Sequence, residues 1–301
     1  MKITILGASS ALQTPANFNT SHVVSVDEQL FLIDAGDGIQ VKLRQFGIKI
    51  SRLNHIFISH LHGDHCLGIV GILSSWAMTG RTGDVHIYAH ADLETLLQPH
   101  IDYFCRDTPF SIEFHAINPR SNEVIFENKN VKVSTIPLKH GIPACGFLFE
   151  EKQRERHLIR EKLDFYQIPI KDLQAIKAGG DWLAPDGKAI GNAELTRPAD
   201  PPKRYAYCTD TAYYEKIIPL IEGADCLFHE ATFSKKDAAR AKENNHSTAE
   251  DAALIASKSK VKQLIIGHYS SRYKNFEKLV EEAQAIFPNT IGAREGMIVE
   301  I

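Results

Sequence analysis

Cysteine is scarce and poorly placed for chemistry: five residues, at 66, 105, 145, 208 and 226, with no Cys-x-x-Cys pair among them. An odd number at scattered spacings without such a pair indicates neither a disulfide framework nor a thiolate zinc knot; each is expected as a small buried apolar residue. No apolar run approaches the roughly 18 residues that a membrane-spanning helix needs. The chain opens Met1-Lys2-Ile3-Thr4-Ile5-Leu6-Gly7, a strand-like run without a signal-peptide pattern, so a cytoplasmic protein with no membrane partner is expected. Neither sign of charge dominates, since 34 basic and 37 acidic residues leave a net −3. That balance excludes a chain-wide polyanion surface, and any such contact must be local. No internal repeat is visible by eye.

What is present is an ordinary globular composition, 44% hydrophobic and 24% charged, in a chain of 301 residues that can bury a substantial core. Strand-like runs fall at 2–6, 22–26, 30–33, 54–58, 84–89, 110–117, 131–136 and 144–149, interrupted by helical patterns at 38–46, 66–79 and 91–100. The alternation returns with strands near 204–208, 224–229, 262–267 and 297–301 and helices near 213–221, 247–258 and 274–287. Strands followed by helices in each half predict an α/β fold of two face-to-face sheets with helices outside, a four-layer αββα sandwich.

The densest chemistry lies in Ile58-Ser59-His60-Leu61-His62-Gly63-Asp64-His65, three imidazoles and a carboxylate within six residues directly after an apolar strand. His60 and His62, two apart in extended chain, point the same way, and Asp64 and His65 follow across the Gly63 turn. Imidazole and carboxylate without thiolate suit zinc or a similar divalent ion acting as a Lewis acid. The alternative is a His-rich surface loop. Single candidates stand at later strand ends: His140, Asp210 and His268. Taken alone each also fits a hydrogen-bonded structural role. Together with the cluster they make seven ligands, enough for two metals if Asp210 bridges.

In this pattern, a His-x-His-x-Asp-His loop followed by a His, an Asp and a His, the chain resembles the metallo-β-lactamase-fold hydrolases. The resemblance implies one zinc on His60, His62, His140 and Asp210, and a second on Asp64, His65, Asp210 and His268. Asp34, in Asp34-Ala35-Gly36-Asp37-Gly38 after Phe31-Leu32-Ile33, matches an aspartate that orients a ligand histidine in that family. A role as helix N-cap before 38–46 stays open for it.

Three further segments narrow the family: His229-Glu230-Ala231-Thr232-Phe233, His246-Ser247-Thr248 and Gly267-His268-Tyr269-Ser270-Ser271-Arg272-Tyr273. With the metal motif they resemble the ribonuclease Z family over essentially the whole chain, endonucleases that trim the 3′ trailer from precursor tRNA. The resemblance implies two zinc ions per subunit, Asp64 as general base and ligand, and His246, partnered by Glu230, as proton donor to the leaving 3′ oxygen. It also implies a 3′-hydroxyl left on the tRNA and a 5′-phosphate on the trailer. Ser247 is expected to cap the following helix, with His246 as that helix's entry residue the plain alternative. Arg272 and Ser270 are placed to contact phosphate, a surface role being the other reading. A small-molecule phosphodiesterase or an arylsulfatase-like hydrolase of the same fold is the competing function.

Between the halves, 151–203 differs in composition: within 152–162 stand Lys152, Arg154, Arg156, Arg160 and Lys162 against Glu155 and Glu161, a local excess of +3. A solvated helix face is one reading. The family resemblance offers another, an inserted flexible arm that grips the tRNA elbow, and it implies a homodimer in which one subunit's arm serves the partner. One segment departs from the family. Where relatives commonly carry Pro-x-Lys-x-Arg-Asn, a pattern tied to rejecting tRNA that ends in CCA, this chain has Leu12-Gln13-Thr14-Pro15-Ala16-Asn17-Phe18-Asn19-Thr20-Ser21. Phe18 stands in place of Arg and no Lys is present, so weaker rejection of CCA is expected; stacking on a terminal base and a core role both stay open for Phe18.

Overall fold

The structure, a computed structural model, describes residues 1–14 and 17–301; Pro15 and Ala16 of the first loop lie outside the described residues. The N-terminal part forms β1 (Lys2–Gly7), β2 (Ser21–Val26), β3 (Gln29–Ile33), β4 (Leu53–Phe57), β5 (Val85–Ala89) and β6 (Ile112–Ala116). Helices α1 (Ile39–Gln45), α2 (Gly63–Cys66), α3 (Gly68–Met78) and α4 (Asp92–Phe104) alternate with these strands. Then come β7 (Val124–Glu127), β8 (Val131–Pro137) and β9 (Cys145–Glu151).

Residues Glu151–Pro202 form a compact unit of their own. It contains β10 (His157–Leu158), α5 (Arg160–Phe165), α6 (Leu173–Lys177), β11 (Trp182–Leu183), β12 (Ala189–Ile190), α7 (Asn192–Leu195) and β13 (Thr196–Arg197). β10 pairs antiparallel with β13, β11 pairs with β12, and a small core of Ile176, Trp182, Ile190 and Leu195 holds the unit together. The charge run expected as one helix face is instead divided between irregular chain, β10 and the start of α5, because β pairing claims its middle.

The other unit, Met1–Glu150 with Lys203–Ile301, is completed by β14 (Arg204–Cys208), α8 (Ile218–Ile221), β15 (Cys226–Glu230), α9 (Ala238–Glu243) and α10 (Ala249–Lys258). Last come β16 (Gln263–Gly267), α11 (Glu277–Gln284), β17 (Thr290–Gly292) and β18 (Ile298–Glu300). Among the described residues it holds two seven-stranded sheets, ordered β18-β1-β2-β3-β4-β5-β6 and β17-β16-β15-β14-β9-β8-β7. Strand alternation places Ile3, Ile5, Phe31, Ile33 and Phe57 of the first sheet in one apolar cluster with Phe147, Phe149, Tyr205 and Tyr207 of the second. The alternate residues Leu32, Ile56, Val85 and Ile87 cluster with Ile69, Ile72, Leu73 and Leu97 of α3 and α4. On the second sheet the covering helices are α10 and α11, α10 lying against β15 and β16. The result is the αββα sandwich expected from the sequence. Removing a ring such as Phe57, fully buried in it, carries a cost of about 3–5 kcal/mol.

Several local readings change. The N-cap of α1 is Gly38, not Asp34, and α10 is capped by Thr248, which accepts from Asp251 N at 3.1 Å in a reciprocal capping box, not by Ser247. Ser247 Oγ instead donates to Thr211 O at 2.6 Å. No helix among the described residues is long and apolar enough to cross a membrane, and all five cysteines are free and buried.

Candidate metal centre and active site

β3–β6 run parallel, as do β14–β17, and both runs end at one rim. Loops leaving strand carboxyl ends are where such folds place their chemistry. Asp34 follows β3, His60, His62, Asp64 and His65 follow β4, His140 follows β8, Asp210 follows β14, Glu230 ends β15 and His268 follows β16. Asp34, Asp210 and His268 all adopt positive φ, at 57°, 22° and 60°. Backbone strain of this kind is kept where surrounding structure demands a side-chain direction. Gly68 serves the same end, since a Cβ there would lie 2.0 Å from Gly36 O, and only glycine lets α3 approach the loop after Asp34 so closely.

The side chains converge in two sets. In the first, His60 Nε2 is 3.0 Å from His62 Nδ1, His140 Nε2 is 3.3 Å from the same atom, and Asp210 Oδ2 lies 3.6 Å from His60 Nε2 and 3.8 Å from His140 Nε2. In the second, Asp210 Oδ1 is 3.3 Å from His65 Nε2 and 3.0 Å from His268 Nε2, with Asp64 Oδ2 3.3 Å from His65 Nε2. Donors about 2.0–2.2 Å from a tetrahedral ion stand about 3.3–3.6 Å from one another. The separations in the two sets, 3.0–3.8 Å, bracket that spacing.

The far side of each ring fixes its direction. His60 Nδ1 meets Ser59 Oγ at 2.9 Å, His65 Nδ1 meets Asp34 Oδ2 at 2.8 Å, His140 Nδ1 meets Asn245 O at 3.1 Å and His268 Nδ1 meets Thr232 Oγ1 at 2.9 Å. In all four, Nε2 is left facing the site, the arrangement by which outer partners orient metal-binding histidines. His65 Nε2 and His268 Nε2 are buried without a hydrogen-bond partner, an expensive condition that a cation between them and Asp210 would relieve. The residues present therefore fit a pair of divalent ions. Burial, then the neighbouring His65, hold His60 well below the usual imidazole range, and burial lowers His62 and His268, so these rings are neutral and their lone pairs available. Burial also works against charge on His65, yet Asp210 and Asp34 outweigh it and push that ring well up; the carboxylates that favour a proton there favour a metal ion equally.

Asp34 also accepts from Ser59 N at 2.8 Å, Ser59 Oγ at 2.9 Å and Tyr207 OH at 2.8 Å. Beside the metal sets, His246 Nδ1 is 2.7 Å from Glu230 Oε1, and Glu230 further accepts from Thr211 N at 2.7 Å and Thr232 Oγ1 at 2.5 Å. A cleft of about 500 Å³ opens onto Asp64, Asp210, His246 and His268. Ser270 and Arg272 line it, with Arg272 Nε donating to Ser270 Oγ at 3.2 Å. Arg240 of α9 and Asn244 at its C-cap also line it, and sequence reading missed both because this short helix carries no motif. Lys152, Arg154, Arg156 and Arg160 belong to the Glu151–Pro202 unit; Arg156 Nε donates to Thr196 Oγ1 at 2.7 Å and Arg160 pairs with Asp164 at 3.1 Å.

Known proteins share this architecture. Residues 1–157 match the model of the Anti-Pycsar protein Apyc1, and residues 195–269 match the Beta-lactamase superfamily domain. Among solved structures, the short form of human tRNase Z superposes with a TM-score of 0.72 at 22% identity over 100% of this chain and 99% of its own. The metallo-β-lactamase fold protein YhfI from Bacillus subtilis gives 0.70 at 18% over 100% of this chain and 99% of its own. A protein named ribonuclease Z from Parabacteroides distasonis is 52% identical over 299 residues, covering 99% of this chain and 98% of its own length. Another of that name from Bacteroides fragilis is 49% identical over 297 residues, with 99% and 98% covered. With half of all residues identical from end to end, the chain belongs to the ribonuclease Z family of the β-lactamase superfamily.

Proposed function

We propose that the protein is a zinc-dependent endoribonuclease that removes the 3′ trailer from precursor tRNA, leaving a 3′-hydroxyl on the tRNA and a 5′-phosphate on the trailer. The observation that carries this reading is Asp210, whose two oxygens face different donor sets: Oδ2 the His60, His62 and His140 set, Oδ1 the His65 and His268 set. Two zinc ions per subunit in these sets would supply an activated water and neutralise charge on the scissile phosphate. With the metal bound, Asp64 would serve both as a ligand and as the base that takes a proton from water. His246, opening onto the cleft, gives its proton to the departing 3′ oxygen. Burial works against a charged His246, but the Glu230 carboxylate outweighs it and raises the ring to about 9, which keeps the proton in place until it is needed. Asp34 positions His65, and Arg272 with Ser270 meets phosphate at the cleft.

Recognition of the rest of the tRNA we assign to the Glu151–Pro202 unit as an arm, through Lys152, Arg154, Arg156 and Arg160, in a homodimer working in the cytoplasm. The full-length likeness to proteins named ribonuclease Z supports this assignment. Purified protein incubated with a precursor tRNA and with bis(p-nitrophenyl) phosphate tests the function. Trailer release is expected; turnover of the small diester alone would hand the site to a small-molecule phosphodiesterase or arylsulfatase-like hydrolase.

A further inference from the structure

Toward the free edge of the first sheet, the face turned to the second sheet changes character. Along β3 and β4 it presents Phe31 and Phe57, both fully buried. Across β4, β5 and the edge strand β6, the same face carries His55, His86, Tyr88, Glu113 and His115. Register sets His55, His86 and Glu113 side by side in one row and Tyr88 beside His115 in the next. Three histidines and a glutamate on the inner face of a sandwich are an uneconomical choice for packing alone.

The side chains meet at one point. His86 Nδ1 is 3.1 Å from His115 Nε2 and 3.3 Å from Glu113 Oε2. A single proton on His86 Nδ1 serves only one of these two acceptors well, and a proton on His115 Nε2 leaves the carboxylate facing a lone pair. A cation at the meeting point satisfies all three donors at once. Ring stacking holds the geometry ready: His115 lies on Tyr88 at 4.5 Å and 13°, and His86 on His55 at 5.0 Å and 16°.

We propose that His86, Glu113 and His115 form a second, separate divalent transition-metal site that clasps β5 to the edge strand β6. Two imidazoles and one carboxylate without thiolate select Zn²⁺, Ni²⁺ or Cu²⁺ over Mg²⁺ or Ca²⁺. The His86 and Glu113 side chains are 27% and 50% exposed, so with three protein ligands the ion keeps water and exchanges with the medium. None of the three residues belongs to the seven-residue centre, and the proposal stands independently of the reaction assigned there.

The test is calorimetric titration of Ni²⁺ into the full chain loaded with only the two equivalents of Zn²⁺ that the seven-residue centre takes. One further Ni²⁺ is expected in the wild type, bound at least about tenfold more weakly in His115→Ala and in Glu113→Gln, the loss that even an outer-shell partner causes. The same isotherm in all three proteins overturns the site, as does no further Ni²⁺ bound by the wild type. Should a variant fail to fold, substoichiometric Cu²⁺ added to the wild type decides the matter by NMR. Broadening of the His86 and His115 imidazole resonances supports the site; resonances that stay sharp overturn it.

Discussion

His246 and Glu230 form a 2.7 Å ion pair in which the carboxylate is fully buried and the imidazole reaches the cleft. The groups around the ring are Glu230 and Asp210, which raise its proton affinity, and His65, His140 and His268, which crowd it with further imidazoles. A ring raised to about 9 stays protonated at neutral pH and loses its proton as pH rises through that value. A proton donor of this kind gives an alkaline limb in the turnover profile. Removing the Glu230 charge in Glu230→Gln lowers the ring's affinity, so the limb should move to lower pH while the acid side stays put. Turnover measured from pH 6 to 10 checks it; an unmoved limb would show that this pair does not set the proton donor.

Replacing the imidazole itself tests the step. His246→Ala should lower turnover by about 10²–10⁴-fold, the usual contribution of a positioned acid. Because His246 contributes to neither proposed donor set, elemental analysis should find metal content unchanged. Loss of metal in the variant would make the residue structural.

Asp64, proposed as both ligand and base, stands 3.3 Å from His65 Nε2 and lines the cleft. Asp64→Ala should therefore abolish turnover, by several orders of magnitude, while tRNA affinity measured by filter binding stays nearly intact, since the proposed arm and not this carboxylate carries recognition. A variant keeping a tenth of wild-type turnover would sink the role.

What the sequence made legible, and what it hid, follows from range. The His60–His65 run announces itself because strand end, turn and donors are contiguous, and Asp210 and His268 are found because each ends an apolar run. The role of Asp34 is different. Its partners Ser59 and Tyr207 are 25 and 173 residues away, and only the sandwich brings Tyr207 OH to its carboxylate. The residues alone left Asp34 open between a helix cap and the histidine-orienting role that the family resemblance implied; Gly38 took the cap, and Asp34 meets His65 Nδ1 at 2.8 Å. β7 and β17, of four and three residues, escaped notice because so short a run shows no period. His86 and His115 sit in strands that gave no sign of their meeting, since the two lie 29 positions apart on neighbouring parallel strands.

The Glu151–Pro202 unit can be removed whole. Cutting out only part of it would tear the core of Ile176, Trp182, Ile190 and Leu195, whereas Glu150 and Arg204 are partners in the β9–β14 ladder, so a short Gly-Ser linker replacing 151–203 closes a gap that is already narrow. The variant should show a raised Michaelis constant for precursor tRNA and a flatter salt dependence, with hydrolysis of bis(p-nitrophenyl) phosphate spared. Equal loss on both substrates would place the unit in the catalytic fold instead of in recognition.

The first loop offers the last test. Phe18 lies under the Lys42 ammonium, 4.3 Å from the ring centroid, and Lys42 is itself paired with Glu295 at 2.6 Å, whose other oxygen accepts from Phe18 N. The loop thus obtains its cation from α1, already neutralised by Glu295, and presents no free positive charge of its own among Asn17, Phe18 and Asn19. Ser10 and Ala11 of the same loop line the cleft. A basic loop would compete for the path of a CCA end; this one should leave it open, so precursors with an encoded CCA should be cut after CCA, or mature tRNA should inhibit strongly as product. Phe18→Ala removes the ring that Lys42 covers, a contact worth about 0.5–1 kcal/mol at a partly exposed position, and should lower the melting temperature slightly. Matched precursors with and without CCA, mapped for cleavage position, decide the point. Strong rejection of the CCA substrate, unchanged in Phe18→Ala, would show that the choice is made elsewhere.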